Sequence, residues 1–350
     1  MRRDLSTRFV AVVAIASVAT VLRAVGPSAP VYSISDLGTL GGDQSTAMGI
    51  NNAGAVVGFA DTPEGLTRGF LYTGGSLVDL GTLGGDESFA YRINDNGLIV
   101  GRAQDSSGRY HAFVTNMNGG AIELTAIDSR LTGDYGTASG ISGNGKVAGH
   151  YTTAGEHMSA HNRVFVFQDF MVTDLGAFGG EDGVATAINN DGHIAGYFST
   201  EPHADYAQHQ AVLLKGETLV PLGSLGGKLT TARALNNKDE VVGEGDIGDG
   251  SRHAFVFSGG ALRDLGTLAG GRQSAAYAIN EQSDIVGFSE RSGASARAVI
   301  ISSGVMSDLN DLISADTGWV LTEARDINNR GDIVGTGLLN GQQRAFLLTR

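Results

Sequence analysis

The chain has 350 residues, 41% of them hydrophobic, no cysteine and a formal charge of −13. Zero cysteine excludes disulfides, thiolate catalysis and Cys-ligated zinc, while the acidic balance argues against nucleic acid and anionic membranes and leaves cations, neutral glycans and basic proteins as partners. Fifty-three glycines with only five prolines point to recurring tight turns, not to disorder.

Met1-Arg2-Arg3 followed by the apolar run Phe9–Leu22 has the charged and hydrophobic regions of a secretory signal, and the run is short for a membrane span. Residues 1–29 are read as a signal peptide, with Ala24 and Ala29 as cleavage candidates, or as an N-terminal anchor. The protein is thus expected to be secreted or extracellular, with periplasm or cell surface as variants, and to have no other membrane segment. Losing four Arg and one Asp with that segment takes the formal charge to −16.

From residue 30 onward one phrase returns seven times, clearest as DLGTLGGDQSTAMGINNAGAVVGFA at 36–60 and DLGTLGGDESFAYRINDNGLIVGRA at 79–103. Units start at Asp36, Asp79, Glu123 (degenerate), Asp174, Pro221, Asp264 and Asp308. A spacing of about 43–50 residues is that of a four-stranded propeller blade. Two columns are constant: an Ala (Ala47, Ala90, Ala138, Ala185, Ala232, Ala276, Ala324) and a Gly (Gly58, Gly101, Gly149, Gly196, Gly243, Gly287, Gly335).

Each unit reads as four short strands, as in 45–51, 55–60, 68–73 and 76–81. Asn-x-x-Gly between the first two is hairpin chemistry, because Asn bonds its own backbone and Gly accepts positive φ. Apolar runs such as VVG and LIVG suit strands covered on both faces, and Ala on the innermost strand suits the crowding where blades converge. The last unit lacks a fourth strand, and VYSISDLG at 31–38 supplies it. The fold class is therefore all-β, a seven-bladed β-propeller at 30–350 read as one domain, its ring closed by the N-terminal strand (31–36) completing the last blade.

The third strand carries His111-Ala112-Phe113 and His253-Ala254-Phe255, with Arg344-Ala345-Phe346 and Arg68-Gly69-Phe70 as variants. Together with DLGTLGG and Ile-Asn-x-x-Gly-x-Val-Gly, these motifs resemble the probable extracellular HAF repeat family over 31–350. Unit 3 lacks DLGTLGG, and Val212 and Val299 stand where other units have Phe. The resemblance implies exported, mainly bacterial proteins of undetermined activity, and supplies no catalytic residues.

Local chemistry is sparse. His111, His209 and His253 read as equivalent residues at the start of the third strand with a repeated structural role, such as bonding a neighbouring blade's backbone, in preference to three active sites. His150, His157, His161 and His203 fall in the long loops of units 3 and 4 beside Glu156 and Glu201, making His157, His161 and His203 weak metal candidates against a reading of no metal site. Gly243-Glu244-Gly245-Asp246-Ile247-Gly248 matches a dinucleotide fingerprint but has no following helix. The stretch EGDIGDGS and Asp95-Asn96-Gly97 could give oxygens to calcium without a calcium-loop spacing, so no cofactor is expected and calcium is left open. No GxSxG elbow occurs, and adjacent carboxylates such as Asp86-Glu87 do not define a glycosidase pair.

One mouth of the ring is expected to collect Asp43, Asp86, Asp134 and Glu181, then Lys228 and Arg272. The residue after each repeated Ala varies, as Met48, Tyr91, Ser139, Thr186, Arg233, Tyr277 and Arg325. Tyr91, Arg233, Tyr277 and Arg325, with the four mouth carboxylates, are the ligand-binding candidates. The sequence supports a monomeric, non-catalytic binding or scaffold module for a glycan or protein ligand at its loop face. The alternative is a secreted polysaccharide-acting enzyme using carboxylate or metal chemistry in the channel mouth.

Overall fold

The Asn-x-x-Gly tetrads fold as the sequence dictates in the computed structural model, which describes residues 31–116, 123–127, 135–153, 161–200 and 208–350. The proposed signal segment therefore lies outside the described residues. In the first turn, Asn51 Oδ1 accepts from Ala53 N (3.1 Å) and Ala55 N (2.9 Å), and Gly54 adopts φ +86°.

Among the described residues, twenty-eight strands form seven antiparallel four-stranded sheets. Blade 1 comprises Ser45–Ile50, Val56–Asp61, Thr67–Thr73 and Ser76–Asp79 in spatial order. The innermost strands of blades 2 to 7 are Gly84–Ile93, Gly136–Ile141, Asp182–Ile188, Gly226–Leu235, Ser274–Ile279 and Trp319–Ile327. Ser33–Asp36 pairs with Gln342–Thr349 and supplies the fourth strand of blade 7. The chain is a seven-bladed β-propeller whose last blade joins both ends of the ring, leaving its C-terminal strand no free edge.

The hydrophobic core is divided among the interfaces between blades. Val57, Leu71 and Leu80 of blade 1, for example, pack with Ala90, Ile99 and Phe113 of blade 2. Seven such clusters account for strands apolar on both faces. Fully burying one of their Phe side chains stabilises the fold by about 3 kcal/mol.

Asn does more than shape turns. Its Nδ2 crosses to the next blade: Asn51 donates to Asn94 O (3.2 Å), Asn94 to Ser142 O (3.0 Å), and Asn189 to Asn236 O (3.2 Å). Asn236 donates to Asn280 O (3.1 Å), Asn280 to Asn328 O (3.1 Å), and Asn328 back to Asn51 O (3.1 Å). Ser142, which has no amide, leaves the link from blade 3 to blade 4 without its counterpart. The following residue adds an outer circuit, as where Asn329 N donates to Asn52 Oδ1 (2.8 Å) and Asn52 N to Asp95 Oδ1 (2.9 Å). These buried amides form a belt around one face of the ring, open only between blades 3 and 4.

The constant Gly has a steric cause. A Cβ on Gly58 would lie 2.0 Å from Thr46 O, on Gly101 1.9 Å from Phe89 O, and on Gly287 1.9 Å from Ala275 O. The motif Phe lies against this Gly, with Phe70 beside Gly58 and Phe113 beside Gly101. Blade 4 has Val212 at the motif position, and Phe178 from the preceding connection covers Gly196 instead. Phe178 pays for that placement with φ +55°.

Candidate functional site: the axial channel

The constant Ala pairs with the constant Gly, and the ladder then slips by one residue. In blade 1, Ala47 faces Gly58 and Gly49 faces Val57, so Met48 is left unpaired. The same bulge recurs at Tyr91, Ser139, Thr186, Arg233, Tyr277 and Arg325. An unpaired bulge residue is freed from the pleat and re-aimed. All seven line one cavity of about 260 Å³, together with Arg92 and Thr137. Because each blade contributes one, this cavity lies on the ring axis.

A second cavity of about 480 Å³ opens at the same end between blades 7, 1 and 2, sharing Met48, Tyr91 and Arg325 with the first. Thr46 and Met48 leave this room in blade 1. Phe59, Phe89 and Tyr91 form one wall, and Glu323, Arg325, Thr322, Thr336 and Gln343 form the other. Phe59 and Phe89 meet edge to face at 5.1 Å, and Phe89 stacks on Tyr91 at 6.5 Å. The Arg102 guanidinium lies 4.6 Å from the Phe89 ring, 4.7 Å from Tyr110 and 5.2 Å from Tyr135, and it donates to the Tyr135 hydroxyl. Such stacks hold a cation where its hydration is reduced.

Across the axis, Arg233 pairs with the buried Glu244, and Arg325 pairs with Glu323 while lying 4.5 Å from the Tyr277 ring. Burial pulls the Arg233 guanidinium down, but Glu244 outweighs it and the net shift is upward. Burial pushes the Tyr277 hydroxyl up to about 12, against the pull of Arg325, and raises Tyr91 against Arg102. Both tyrosines are neutral hydrogen-bonding groups at physiological pH. Arg92 turns inward, donating from Nη1 to Met48 O (2.8 Å) and Tyr91 O (2.9 Å). Asp326 accepts from Ile50 N (3.0 Å), and burial raises its carboxyl, opposed by Arg92.

The expected binding residues therefore separate. Tyr91, Arg233, Tyr277 and Arg325 converge on the channel. Asp43 and Glu181 sit exposed on the connections and Asp86 exposed near the start of the strand Gly84–Ile93, none of them lining either cavity, and Asp134 lies outside the described residues. His157 and His203 also lie outside them, while His161 approaches Asp182 at 3.9 Å. Among the described residues, no group of three or more His, Asp or Glu is placed to hold a metal ion. The oxygens considered for calcium have other partners: Asp95 accepts from Asn52, Glu244 pairs with Arg233 and Asp246 with Arg252.

The histidine reading needs correction. His111 bonds Asp105 (2.9 Å) and His253 bonds Asp264 (2.9 Å), both inside their own blade instead of reaching a neighbour's backbone. His209 is not equivalent to them. It pairs with Ser199, one residue beyond the position that Gln210 fills, and its ring stacks on Tyr197 at 4.7 Å. The start of HQAV mimics HAF in letters but not in register.

Sequence reasoning also missed the column after the constant Gly, which holds Phe59, Arg102, Tyr197, Glu244, Phe288 and Thr336, and it put the column's remaining member, His150, in a loop although His150 lies in the strand Val147–Thr152. Across the strand pair, Phe59 opposes Thr46, Arg102 opposes Phe89 and Glu244 opposes Thr231. Their signal was the same as that of the bulge column, a variable residue beside an invariant one.

No protein-family model matches the sequence, and no curated protein matches it. Among solved structures, a puromycin-hydrolyzing peptidase of Mycobacterium tuberculosis aligns with TM-score 0.58 and 12% identity over 89% of this chain. This chain covers 53% of the peptidase, about half its length. The β-propeller domain of the trilobed protease of Pyrococcus furiosus, described as having an open velcro topology, aligns with TM-score 0.52 and 12% identity, over 74% of this chain and 82% of that domain. Likeness at such identity is likeness of fold, and the conclusion it carries is that the chain is a β-propeller.

Proposed function

We propose that the protein is an exported binding module of the HAF repeat kind, holding a glycan in its axial channel without turning it over. The observation that carries this reading is the convergence of seven bulge residues, one per blade, on a single cavity whose walls combine Tyr91 and Tyr277 with Arg233 and Arg325. Aromatic faces with polar edges are what a sugar ring requires, one apolar face to stack and several hydroxyls to bond. The channel-side carboxylates Glu244 and Glu323 are each held in an ion pair with arginine, an arrangement that suits positioning the guanidinium better than acid–base work.

Glycan-array and pull-down screening of the exported chain, with and without calcium, tests the reading. One glycan class is expected to be retained unchanged. Combined alanine substitution of Tyr91, Arg233, Tyr277 and Arg325 is expected to abolish retention, and the Tyr91→Ala/Tyr277→Ala pair, which leaves no carboxylate uncompensated, to weaken it at least tenfold. Unchanged binding in both variants would remove the channel from the reading, and released products would replace the module with an enzyme.

A further inference from the structure

We infer that the glycan held by this channel is acidic, a carboxylate-bearing saccharide whose carboxylate meets Arg92 and Arg102. The inference rests on the binding-module reading above and names its ligand class. It reverses the expectation drawn from net charge, which favoured neutral or cationic partners.

The chain carries −13, yet the cavity walls have the opposite sign. Arg92, Arg102, Arg233 and Arg325 line the two connected spaces, against one lining carboxylate, Glu323. Glu323 and Glu244 neutralise Arg325 and Arg233. Among the described residues, Arg92 and Arg102 have no carboxylate within ion-pair distance. Arg92 bonds only carbonyl oxygens with its Nη1, and Arg102 bonds a tyrosine hydroxyl and lies over three rings.

Donors in this cavity outnumber acceptors. A guanidinium has five N–H donors and no acceptor. The Nε atoms of Arg102, Arg233 and Arg325 are buried with no hydrogen-bond partner in the structure. These inner-edge donors are shut off from the cavity, so what a ligand meets there is the positive charge of the guanidiniums, which an anion offsets. The wall of Phe59, Phe89 and Tyr91 adds a face for a pyranose ring beside Arg102. The acidic groups Asp43, Asp86 and Glu181 are exposed at the surface, where about 0.1 M salt screens charges beyond roughly 10 Å. A partly enclosed guanidinium is screened less, so the local sign governs binding.

Isothermal titration of the exported chain with trigalacturonic acid, its methyl ester, free galacturonic acid and triglutamate tests this at 50 and 300 mM salt. The acidic trimer is expected to bind at least tenfold tighter than the ester, with the gap narrowing at high salt. Arg92→Gln and Arg102→Gln are each expected to reduce that preference at least fivefold. Arg102→Lys keeps the charge and serves where Arg102→Gln melts early, restoring part of the preference. Equal binding of ester and acid overturns the inference, as does equal binding of triglutamate, whereas equal binding of the free monosaccharide supports it with a single acidic sugar as the unit recognised. Retention of neutral oligosaccharides alone sinks the acidic assignment and leaves the binding module standing. Cleavage of the trimer, or no saccharide bound at all, sinks the binding module itself.

Discussion

Ser142→Asn is expected to stabilise the ring, because it supplies the one amide missing from the belt. Six blades present an Asn whose Nδ2 donates to the next blade's carbonyl at 3.0–3.2 Å. In blade 3, Ser142 Oγ accepts from Lys146 N (2.9 Å) and donates to Asn144 Oδ1 (2.6 Å), so it shapes the turn but cannot reach blade 4. An Asn would shape the turn through Oδ1, as Asn94 does for Asn96 N (3.1 Å) and Leu98 N (3.0 Å). Its Nδ2 would then meet Asn189 O, which already accepts from Gly192 N (3.0 Å) and has a second lone pair to offer. One added intramolecular hydrogen bond is worth about 1 kcal/mol net, or roughly 2 °C in midpoint for a domain of this size. The reverse change, Asn280→Ser, removes a donor at a site 5% exposed and leaves Asn328 O with Gly331 N alone (3.1 Å), at a cost of about 1 kcal/mol. Urea unfolding followed by circular dichroism measures both. If Ser142→Asn is neutral or harmful while Asn280→Ser costs nothing, the belt does not hold the blades together and the constant Asn is there for its turn alone.

Gly287→Ala should cost about 3 kcal/mol or more, because its Cβ would stand 1.9 Å from Ala275 O, whereas Gly248→Ala, with nothing within 4 Å, should stay within about 0.5 kcal/mol; paired urea titrations decide. Tyr32→Ala should cost about 3 kcal/mol, since Tyr32 is 3% exposed in the core at the ring closure and its hydroxyl accepts from Arg350 Nε at 3.2 Å; no loss would mean that the closure contributes nothing. Burial lowers the His150 imidazole to about 4, partly offset by Ala185 and aided by Arg102. The unfolded chain therefore binds a proton that the fold does not, and stability should fall as pH drops from about 6.5 to about 4 and then level off. That loss is at most about 3 kcal/mol, less as water reaches the ring, and should flatten in His150→Gln when midpoints are read at pH 7 and 4.5.

Much of the fold was legible because the repeat compares seven solutions of one problem inside a single chain. The strand order, the Ala and Gly columns and the closing strand all follow from local chemistry: turn residues, apolar runs and steric crowding. The Asn belt was half legible. The turn that Asn51 shapes is local, but the bond from its Nδ2 to Asn94 O spans 43 positions and depends on how blades are juxtaposed. His209 was misplaced for a related reason, since it stands two residues before Ala211 where His111 stands one before Ala112, and only the ladder fixes that register.

The site was legible where variation sits beside constancy, and the bulge explains why. A residue paired in the ladder must suit its cross-strand partner and the blades on either side, so Ala47 and its equivalents stay small. The residue left over by the slip answers to none of these, and can be Met48 in one blade, Tyr91 in the next and Arg325 in another without disturbing the pairing. Beside the slip, the carbonyl of the residue before the constant Ala, Thr46 or Phe89, lies against the opposite strand, and it forbids a Cβ on Gly58 or Gly101. The invariant Gly is thus the condition for the variable residue. Chemistry accumulates in the second column because the first keeps the strand pair close enough to form the bulge. The symmetry breaks where blade 1 contributes Thr46 and Met48 between aromatic residues of blade 2 and the Arg325–Glu323 pair of blade 7, and there the channel widens into its side pocket.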